Sequence, residues 1–392
     1  MKPFFSRQSG VALIAALLLM TSIVFILGNI FYRHQINVAQ STLAIHQDQA
    51  FLLALSAESW ARQLLDDDDK NYDHFQELWA QAIPAMPVDG GMINGCISDL
   101  QSKFNLNNFT VGYTTPTDLS TALSGVSSST AKTWNNLLRY LEMPVFPGRV
   151  EAIIDWVDKG AAKIGPDGAE LEEYASAIPP RMIADEPMTE PTELASVVGY
   201  EIFEVQKLMP WISALPLSLP SSPSSSRPGS SKSPISNSVP VSINVNTASE
   251  ELLLALGDRY DMQFRDAILM NRPFETLPDL HNQLNLDTGL SIKDIQIRWP
   301  ESLVNIRSEY FQLYIEVMLG EARIEVRSII MRRFGTDSVI ISRELTTVPA
   351  SVDKNSTSVL LEKLLAGSNS DKESEDIIDD QQVLPACLMI GA

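Results

Sequence analysis

The chain has 392 residues, of which 45% are hydrophobic and 20% are charged, a balance typical of folded domains. Its 49 acidic residues outnumber the 29 basic ones, and the formal net charge of −20 argues against a protein that binds nucleic acid or a membrane surface through basic residues. The common nucleotide-binding, metalloprotease and hydrolase motifs are absent from the sequence, so an enzyme is not expected. Two cysteines, Cys96 and Cys387, are too few for a disulfide framework, and whether they pair with each other stays open.

An uncharged apolar segment lies close to the N-terminus. Residues 1–10 are short and basic, and residues 11–32 contain no charged side chain. As a helix, the second segment is about 33 Å long, which is enough to cross a hydrocarbon core of about 30 Å. Because the positive charges precede it, we expect a cytoplasmic N-terminus, with the rest of the chain across the inner membrane. A plain signal anchor would explain these features equally well.

A glycine separates the basic leader from the apolar segment. This junction resembles the leader of prepilins, in which a membrane peptidase cuts after a glycine and leaves the apolar helix on the mature protein. The resemblance implies cleavage between Gly10 and Val11 by prepilin peptidase, followed by N-methylation of Val11. The chain departs from most pilins at the fifth mature position, where Ala15 replaces a glutamate. A carboxylate at that depth is costly in lipid unless it is paired.

The helical pattern continues past the apolar segment and gives way to a strand pattern near the C-terminus. Apolar residues recur at spacings of three and four up to Leu65, which predicts one helix over about residues 11–65 with Trp60 in its buried stripe. In residues 308–319 the period is two, and Gly320-Glu321 supplies a turn before two further strands. A long helix with an antiparallel sheet is the α+β architecture of pilins.

Almost 200 residues separate the predicted helix from the predicted sheet, and this insertion has helical spacing broken by Pro and Gly. A Ser/Pro linker at 216–242 divides it into lobes at 114–215 and 243–300. The pilin-like domain is then discontinuous and consists of 33–113 and 301–345. We read the acidic tail at 346–392 as mostly disordered.

Several segments together resemble the minor pseudopilin K family of type II secretion systems, also called general secretion pathway protein K, over about residues 1–345. The matching segments are QSGVALIAALLLM, DLQSKFNLNNF at 99–109, AIIDWVDKG at 152–160, GAELEEY at 168–174, ELASVVGY at 193–200, VSINVNTASEELL at 241–253 and IRSEYFQLYIEVMLG at 306–320. Members of this family also lack the glutamate at the position that Ala15 occupies here. The resemblance implies a pilin-like domain that carries a large inserted all-α domain with lobes of the SAM or helix-hairpin-helix type. It also implies a periplasmic position at the tip of the pseudopilus, in complex with other minor pseudopilins.

An acidic stretch in the first lobe is the candidate ligand site. Residues 151–201 hold twelve carboxylates against three basic residues, a local net charge of −9. Hard oxygen ligands on a glycine-containing loop suit Ca²⁺, and the family resemblance points to calcium in the same domain. The candidate ligands are Asp155, Asp158, Asp167, Glu170, Glu172 and Glu173. The alternative is an ordinary solvated acidic surface.

The second lobe offers an alternative function. The segment INVNTASEELLLAL resembles the start of a helix-hairpin-helix, as in membrane-anchored DNA receptors for competence. Such hairpins offer a Gly-apolar-Gly turn to phosphate, whereas residues 257–261 read GDRYD. Residues 241–299 also carry nine acidic residues against five basic ones, which repels a phosphate backbone. We therefore expect a packing module, with no nucleic-acid partner.

Overall fold

The polypeptide begins with a single helix of 59 residues, α1, which runs from Ser9 to Asp67 in the computed structural model. The structure describes residues 9–81, 83–110, 126–159, 163–217 and 239–349. Most of the predicted leader, most of the Ser/Pro linker and residues 350–392 of the predicted tail lie outside these ranges. The first half of α1 is long and apolar enough to cross a membrane, with a window of mean hydropathy 2.5 and none of that window buried.

Eight further α-helices and nine strands follow in the described residues. The helices are α2 (Val126–Tyr140), α3 (Arg149–Val157), α4 (Leu171–Ser176), α5 (Ile202–Leu208), α6 (Glu250–Gly257), α7 (Asp261–Asn271), α8 (Leu277–Thr288) and α9 (Ile292–Arg298). The strands are β1 (Ile83–Val88), β2 (Gly91–Asp99), β3 (Phe104–Asn105), β4 (Ile212–Ser213), β5 (Ile243–Asn244), β6 (Val304–Asn305), β7 (Tyr310–Leu319), β8 (Ala322–Met331) and β9 (Val339–Pro349).

The long strands form one antiparallel sheet of five strands in the order β1-β2-β7-β8-β9. Successive side chains of a strand point to opposite faces, and one face of β7 packs on the second half of α1. Small α1 residues such as Ala50 and Ala54 are fully buried there, so the helix approaches the sheet closely. The β7–β8 turn touches the same helix, because a Cβ at Gly320 would lie 2.5 Å from the His46 ring.

The predicted α+β class is confirmed, but one hairpin was not predicted and the prediction for Trp60 needs correction. The period-two rule does not identify the β1–β2 hairpin, because proline and glycine interrupt both strands, although Asp89-Gly90 is a recognisable turn. Trp60 is 48% exposed and therefore does not belong to the core of this chain. It borders a cleft between α1 and the sheet that Ile93 of β2 and Leu313 of β7 also line. At the other end of the sheet, β9 continues to Pro349, inside the segment predicted as tail.

The inserted helices lie between β2 and β7, which are neighbours in the sheet. One hydrophobic cluster joins helices from both sides of the linker, including Trp134 of α2, Ile153 of α3 and Phe264 of α7. Residues just after β2, such as Phe104 and Phe109, belong to the same cluster. The two lobes therefore share a core that is separate from the core between α1 and the sheet.

Three asparagines after β2 fix the inserted helices to the end of the sheet. Each forms a reciprocal pair of hydrogen bonds with the backbone of one distant residue. The pairs are Asn105 with Leu215 (2.8 and 3.1 Å), Asn107 with Met188 (both 2.8 Å) and Asn108 with Val241 (both 2.8 Å). A side-chain amide donates one bond and accepts one, so it replaces the backbone pairing that these irregular segments lack.

Candidate functional site

The acidic loop between α3 and α4 is folded around Asp155. This residue is fully buried in the last turn of α3, and its carboxylate accepts the backbone N–H groups of Ile164 (2.9 Å) and Ala169 (2.8 Å). Gly168 leaves room for the carboxylate, since a Cβ there would lie 2.3 Å from Asp155 Oδ2. Burial raises the pKa of Asp155 to about 7, although the two hydrogen bonds lower it. The negative charges of Glu170 and Asp158 raise the pKa further.

Glu170 directly precedes α4 and has a buried side-chain oxygen that lacks a hydrogen bond to any described residue. The residue is only 7% exposed, and its Oε1 is buried without a hydrogen-bond partner in the described structure. Burial, followed by the negative charges of Asp158 and Asp185, raises the pKa of Glu170 to about 7. A buried oxygen of this kind is costly, so its environment favours either a proton or a cation.

Asp185, which follows α4 in the chain, also belongs to this group, because its charge interacts with that of Glu170. Its Oδ1 is also buried and, as far as the described residues go, receives no hydrogen bond. Its backbone has a φ of +50°, an uncommon conformation for a residue other than glycine. Asp185 is not among the six candidate ligands, because it lies outside the glycine-containing loop. The only sequence signal for it was its membership in the acidic stretch.

The six candidate ligands differ in burial and in their interactions. Asp155, Asp158 and Glu170 lie close enough for their charges to interact, together with Asp185. Asp167 and Glu172 are exposed. Glu173 accepts the Glu170 N–H at 3.0 Å and forms an ion pair with Lys163, which lowers the pKa of Glu173. Ca²⁺ takes oxygen ligands in flexible geometry, so the two orphaned oxygens make the acidic loop the candidate calcium site.

A second group of buried carboxylates lies where α1, the sheet and the second lobe meet, and we call it the polar junction (Asp73, Asp99, Asn244, Ser308 and Arg332). Asp73 is fully buried, accepts the Ser308 N–H at 2.7 Å and pairs directly with Arg332. The guanidinium also reaches Asp68 at 3.3 Å. Burial raises the pKa of Asp73 to about 7, with Arg332 opposing the rise.

Asp99, at the end of β2, is the other acid of the polar junction. Its carboxylate accepts hydrogen bonds from the Gln101 N–H (2.7 Å), the Ser308 hydroxyl (2.6 Å), the Thr247 hydroxyl (2.5 Å) and the Asn244 amide (3.2 Å). Next to the polar junction, carboxylate oxygens of Asp68 and Glu77 lie within 4.8 Å of one another and of a carboxylate oxygen of Asp73. Arg332 already supplies the cation there, so we assign the group to packing.

The polar junction also explains the segment that resembles a helix-hairpin-helix. Asn244 donates to the Asp73 carbonyl (3.2 Å) and to Ser308 Oγ (2.9 Å). Asn246 exchanges two hydrogen bonds of 2.9 Å with the Phe274 backbone. Both asparagines are buried, which leaves their amides unavailable to phosphate. The segment is a packing element, and the DNA-receptor alternative has no support.

Comparisons with known proteins agree with this reading of the geometry. The model of the family described as type II secretion system (T2SS), protein K, matches residues 102–217 and 243–296, on both sides of the linker. The chain is 27% identical over 353 residues to type II secretion system protein K of Aeromonas hydrophila, covering 86% of this chain and 97% of the relative. It is 26% identical over 329 residues to protein K of Pseudomonas aeruginosa, covering 81% and 86%, respectively.

A solved structure has the same fold. It is described as the GspK-GspI-GspJ complex from the enterotoxigenic Escherichia coli type 2 secretion system, and the match covers 76% of this chain and 96% of that chain. The TM-score is 0.59 at 22% sequence identity. The family is a structural component of the secretion system. From its helix, sheet and inserted α-domain and from these matches, the chain belongs to the type II secretion system protein K family, the minor pseudopilins of that system.

Proposed function

We propose that this pseudopilin caps the tip of the periplasmic pseudopilus. The observation that carries the proposal is the inserted α-domain, which is built out from one end of the sheet between β2 and β7. In a helical filament the head of each subunit touches neighbours in several directions, so a domain of this size would collide with the next layer. At the filament end no next layer exists. Ala15 fits the same position, because a tip subunit has no preceding amino terminus to pair with a carboxylate.

The partners we propose are two smaller minor pseudopilins that pack beside α1. The solved relative is a complex of GspK with GspI and GspJ, which supports partners of this kind. In the half of α1 beyond the apolar segment, Val38, Ile45, Leu52 and Trp60 are 51%, 56%, 62% and 48% exposed. Their spacings of seven, seven and eight residues form the stripe of a helix that packs on other helices. The exposure of Trp60 is therefore an interface feature.

The membrane arrangement follows from the same α1. We propose a single-pass inner-membrane protein with a periplasmic C-terminal region, matured by prepilin peptidase between Gly10 and Val11. Both residues lie in the first turns of α1, so cleavage would leave the apolar helix intact. Mass spectrometry of the membrane fraction should find a mature protein that begins at Val11, with its amino group methylated. Retention of Met1, or a cut beyond Gly28, would contradict this maturation.

The tip position can be tested by deletion of the inserted domain. Residues 114–300 can be replaced by a short linker, because β2 and β7 are adjacent strands. We expect longer pseudopili from the deletion and shorter ones when the intact protein is overproduced. A matched control is the Asn282→Ala variant in α8, which leaves the domain in place. Labelling that puts the α-domain at regular intervals along the shaft would contradict the cap.

We further propose that the acidic loop binds Ca²⁺ through Asp158, Glu170 and Asp185. The orphaned oxygens of Glu170 and Asp185 support this ligand set. Asp155 would act as a positioning residue, since its two oxygens already accept backbone N–H groups. The bound ion would supply the positive charge that the crowded carboxylates lack and would fix α4 against α3.

Thermal unfolding of the purified full chain tests the calcium proposal. Calcium at a hundred times its dissociation constant should stabilise the wild type by about 2.7 kcal/mol relative to chelator, because it binds only the folded state. Asp158→Asn combined with Glu170→Gln should abolish this shift, whereas Glu172→Gln, a change in an exposed carboxylate of the same loop, should keep it. A wild-type melting temperature that is equal in calcium and in chelator would contradict the site.

A further inference from the structure

The face of the sheet opposite α1 is buried at one edge and open at the other. A single row of paired residues crosses it, from Cys96 on β2 to Tyr314 on β7, Arg327 on β8 and Glu344 on β9. Cys96 and Tyr314 are each 3% exposed, whereas the side chains of Arg327 and Glu344 are 52% and 62% exposed. Something therefore covers β2 and β7 in this row of the face and leaves β8 and β9 open there.

The described elements do not account for this cover. Helix α1 packs on the other face, with Leu313 and Ile315 of β7 in its core. In the described residues, the inserted domain packs on this face at the Tyr310 end of β7, where Leu215 and Val241 form a cluster with Tyr310 and with Ile329 and Met331 of β8. Tyr314 lies four residues, about 13 Å, further along β7. A tyrosine in the middle of a strand would be largely exposed if nothing covered it. The cover therefore has to be sought in the part of the chain outside the described ranges.

The cysteines identify that part of the chain. Cys96 is disulfide-bonded in the structure, and no described cysteine is free. The sequence contains only one other cysteine, Cys387. Its surroundings, VLPACLMI at 383–390, form an apolar segment directly after an acidic run. An apolar segment with a cysteine at its centre has the composition that a buried, cysteine-bearing sheet face requires.

We propose that the C-terminal segment 383–390 docks on the β2–β7 face of the sheet and is fixed there by a Cys96–Cys387 disulfide. The connection is long enough. Strand spacing and rise put the end of β9 on the order of 20 Å from Cys96. A flexible chain of the intervening length has an r.m.s. span of about 34 Å. The β2–β7 part of the face is then closed to partner subunits, whereas α1, the two edge strands β1 and β9 and the open β8–β9 part of the face stay available.

Bond formation needs an oxidant. The two thiols lose two protons and two electrons as their sulfur atoms join, and a protein disulfide of the thiol-oxidase class accepts them and becomes a dithiol. The availability of such an oxidant depends on the proposed periplasmic location. A defined glutathione buffer of the same poise replaces it in the assay. Failure to form the bond in that buffer would contradict the pairing itself and would leave the location unaffected.

Peptide mapping of the full chain in detergent tests the pairing. Trypsin cleaves after Lys70, Lys103 and Lys372, so Cys96 lies in peptide 71–103 and Cys387 in peptide 373–392. After thiol blocking and digestion without reductant, we expect one joined species that separates on reduction, from a protein that migrates as a monomer. Blocked thiols on both peptides would overturn the bond. A disulfide-linked dimer would overturn the intramolecular pairing.

Docking of the segment is tested separately from the bond. In the Cys387→Ser background, the Cys96 thiol should react slowly with a maleimide because residues 383–390 still cover it. Adding Leu388→Asp should accelerate the reaction by about tenfold or more, since local opening controls the reactivity of a covered group. Ile377→Asp, the same change in the acidic run, is the matched control and should leave the rate unchanged. Equal rates in both variants would contradict the docking.

Discussion

The acidic loop and the polar junction both bury carboxylates, but they compensate them differently. In the polar junction, Asp73 has Arg332 and a backbone N–H, and Asp99 accepts four hydrogen bonds. In the acidic loop, Glu170 and Asp185 each keep a buried oxygen that receives no hydrogen bond from the described residues. The pKa of a buried acid is raised in both places, so burial alone does not distinguish packing from ligand binding. The unsatisfied oxygens do.

The largest effect should come from removing the cation of the polar junction. Arg332→Met leaves Asp73 fully buried without its partner, and breaking a buried pair from one side costs about 3–5 kcal/mol. Arg327→Met on β8 is the control, because that side chain is exposed and its loss should have little effect. Chemical denaturation measures both. The calcium-dependent shift should survive in the Arg332 variant, and its loss would mean that the two regions are one coupled unit.

Removal of one carboxylate should have opposite signs in the two regions. Asp99→Asn faces donors that an amide cannot all satisfy, and we expect a loss of about 2 kcal/mol with or without calcium. Asp185→Asn relieves repulsion of Glu170, so in chelator the variant should be at least as stable as the wild type. Its calcium affinity should fall by about tenfold, measured by titration calorimetry. A destabilised Asp185 variant in chelator would assign this acid to packing.

The pH dependence should separate the regions by its sensitivity to calcium. Burial raises the pKa of Asp155 and of Glu170 to about 7, above their unfolded values. Between about pH 4 and pH 7 the native state holds protons that the unfolded state has lost, so stability should fall as pH rises through this window. Calcium replaces those protons and should flatten the fall. The contribution of Asp73 should remain, because Arg332 and not calcium faces it.

The smallest effect should come from Lys163, a lysine of the acidic loop that forms an ion pair within the loop region. Lys163 pairs with Glu173 near the surface, and both side chains are about one-third exposed. Lys163→Gln removes a positive charge near the proposed site, and the calcium dissociation constant should fall by roughly twofold because solvent screens the interaction. Lys207→Gln in α5 is the control and should leave calcium binding unchanged. Weaker binding in the Lys163 variant would show that the lysine positions the loop.

Periodicity predicted much of this fold, and its failures have identifiable causes. Residues 308–319 alternate cleanly because one face of β7 packs on α1, whereas Pro84 and Gly95 hide the β1–β2 hairpin. The acidic stretch pointed to the loop, but composition could not say which acids are buried. That depends on Gly168 admitting Asp155 and on the backbone turn at Asp185. The polar junction joins residues more than 200 positions apart, such as Asp73 and Arg332, and no local pattern encodes it.

The adjacency of β2 and β7 has a kinetic consequence. Asp99 pairs with Phe311, so the sheet cannot close until the whole insertion between them has brought its two ends together. An unstructured loop pays an entropy of closure, which rises by only about 0.6 kcal/mol for each doubling of its length. The insertion has its own core and its own reciprocal asparagine bonds. If it folds first, it presents β2 and β7 to each other as a short hairpin would, and the nucleus of the sheet lies in the inserted domain.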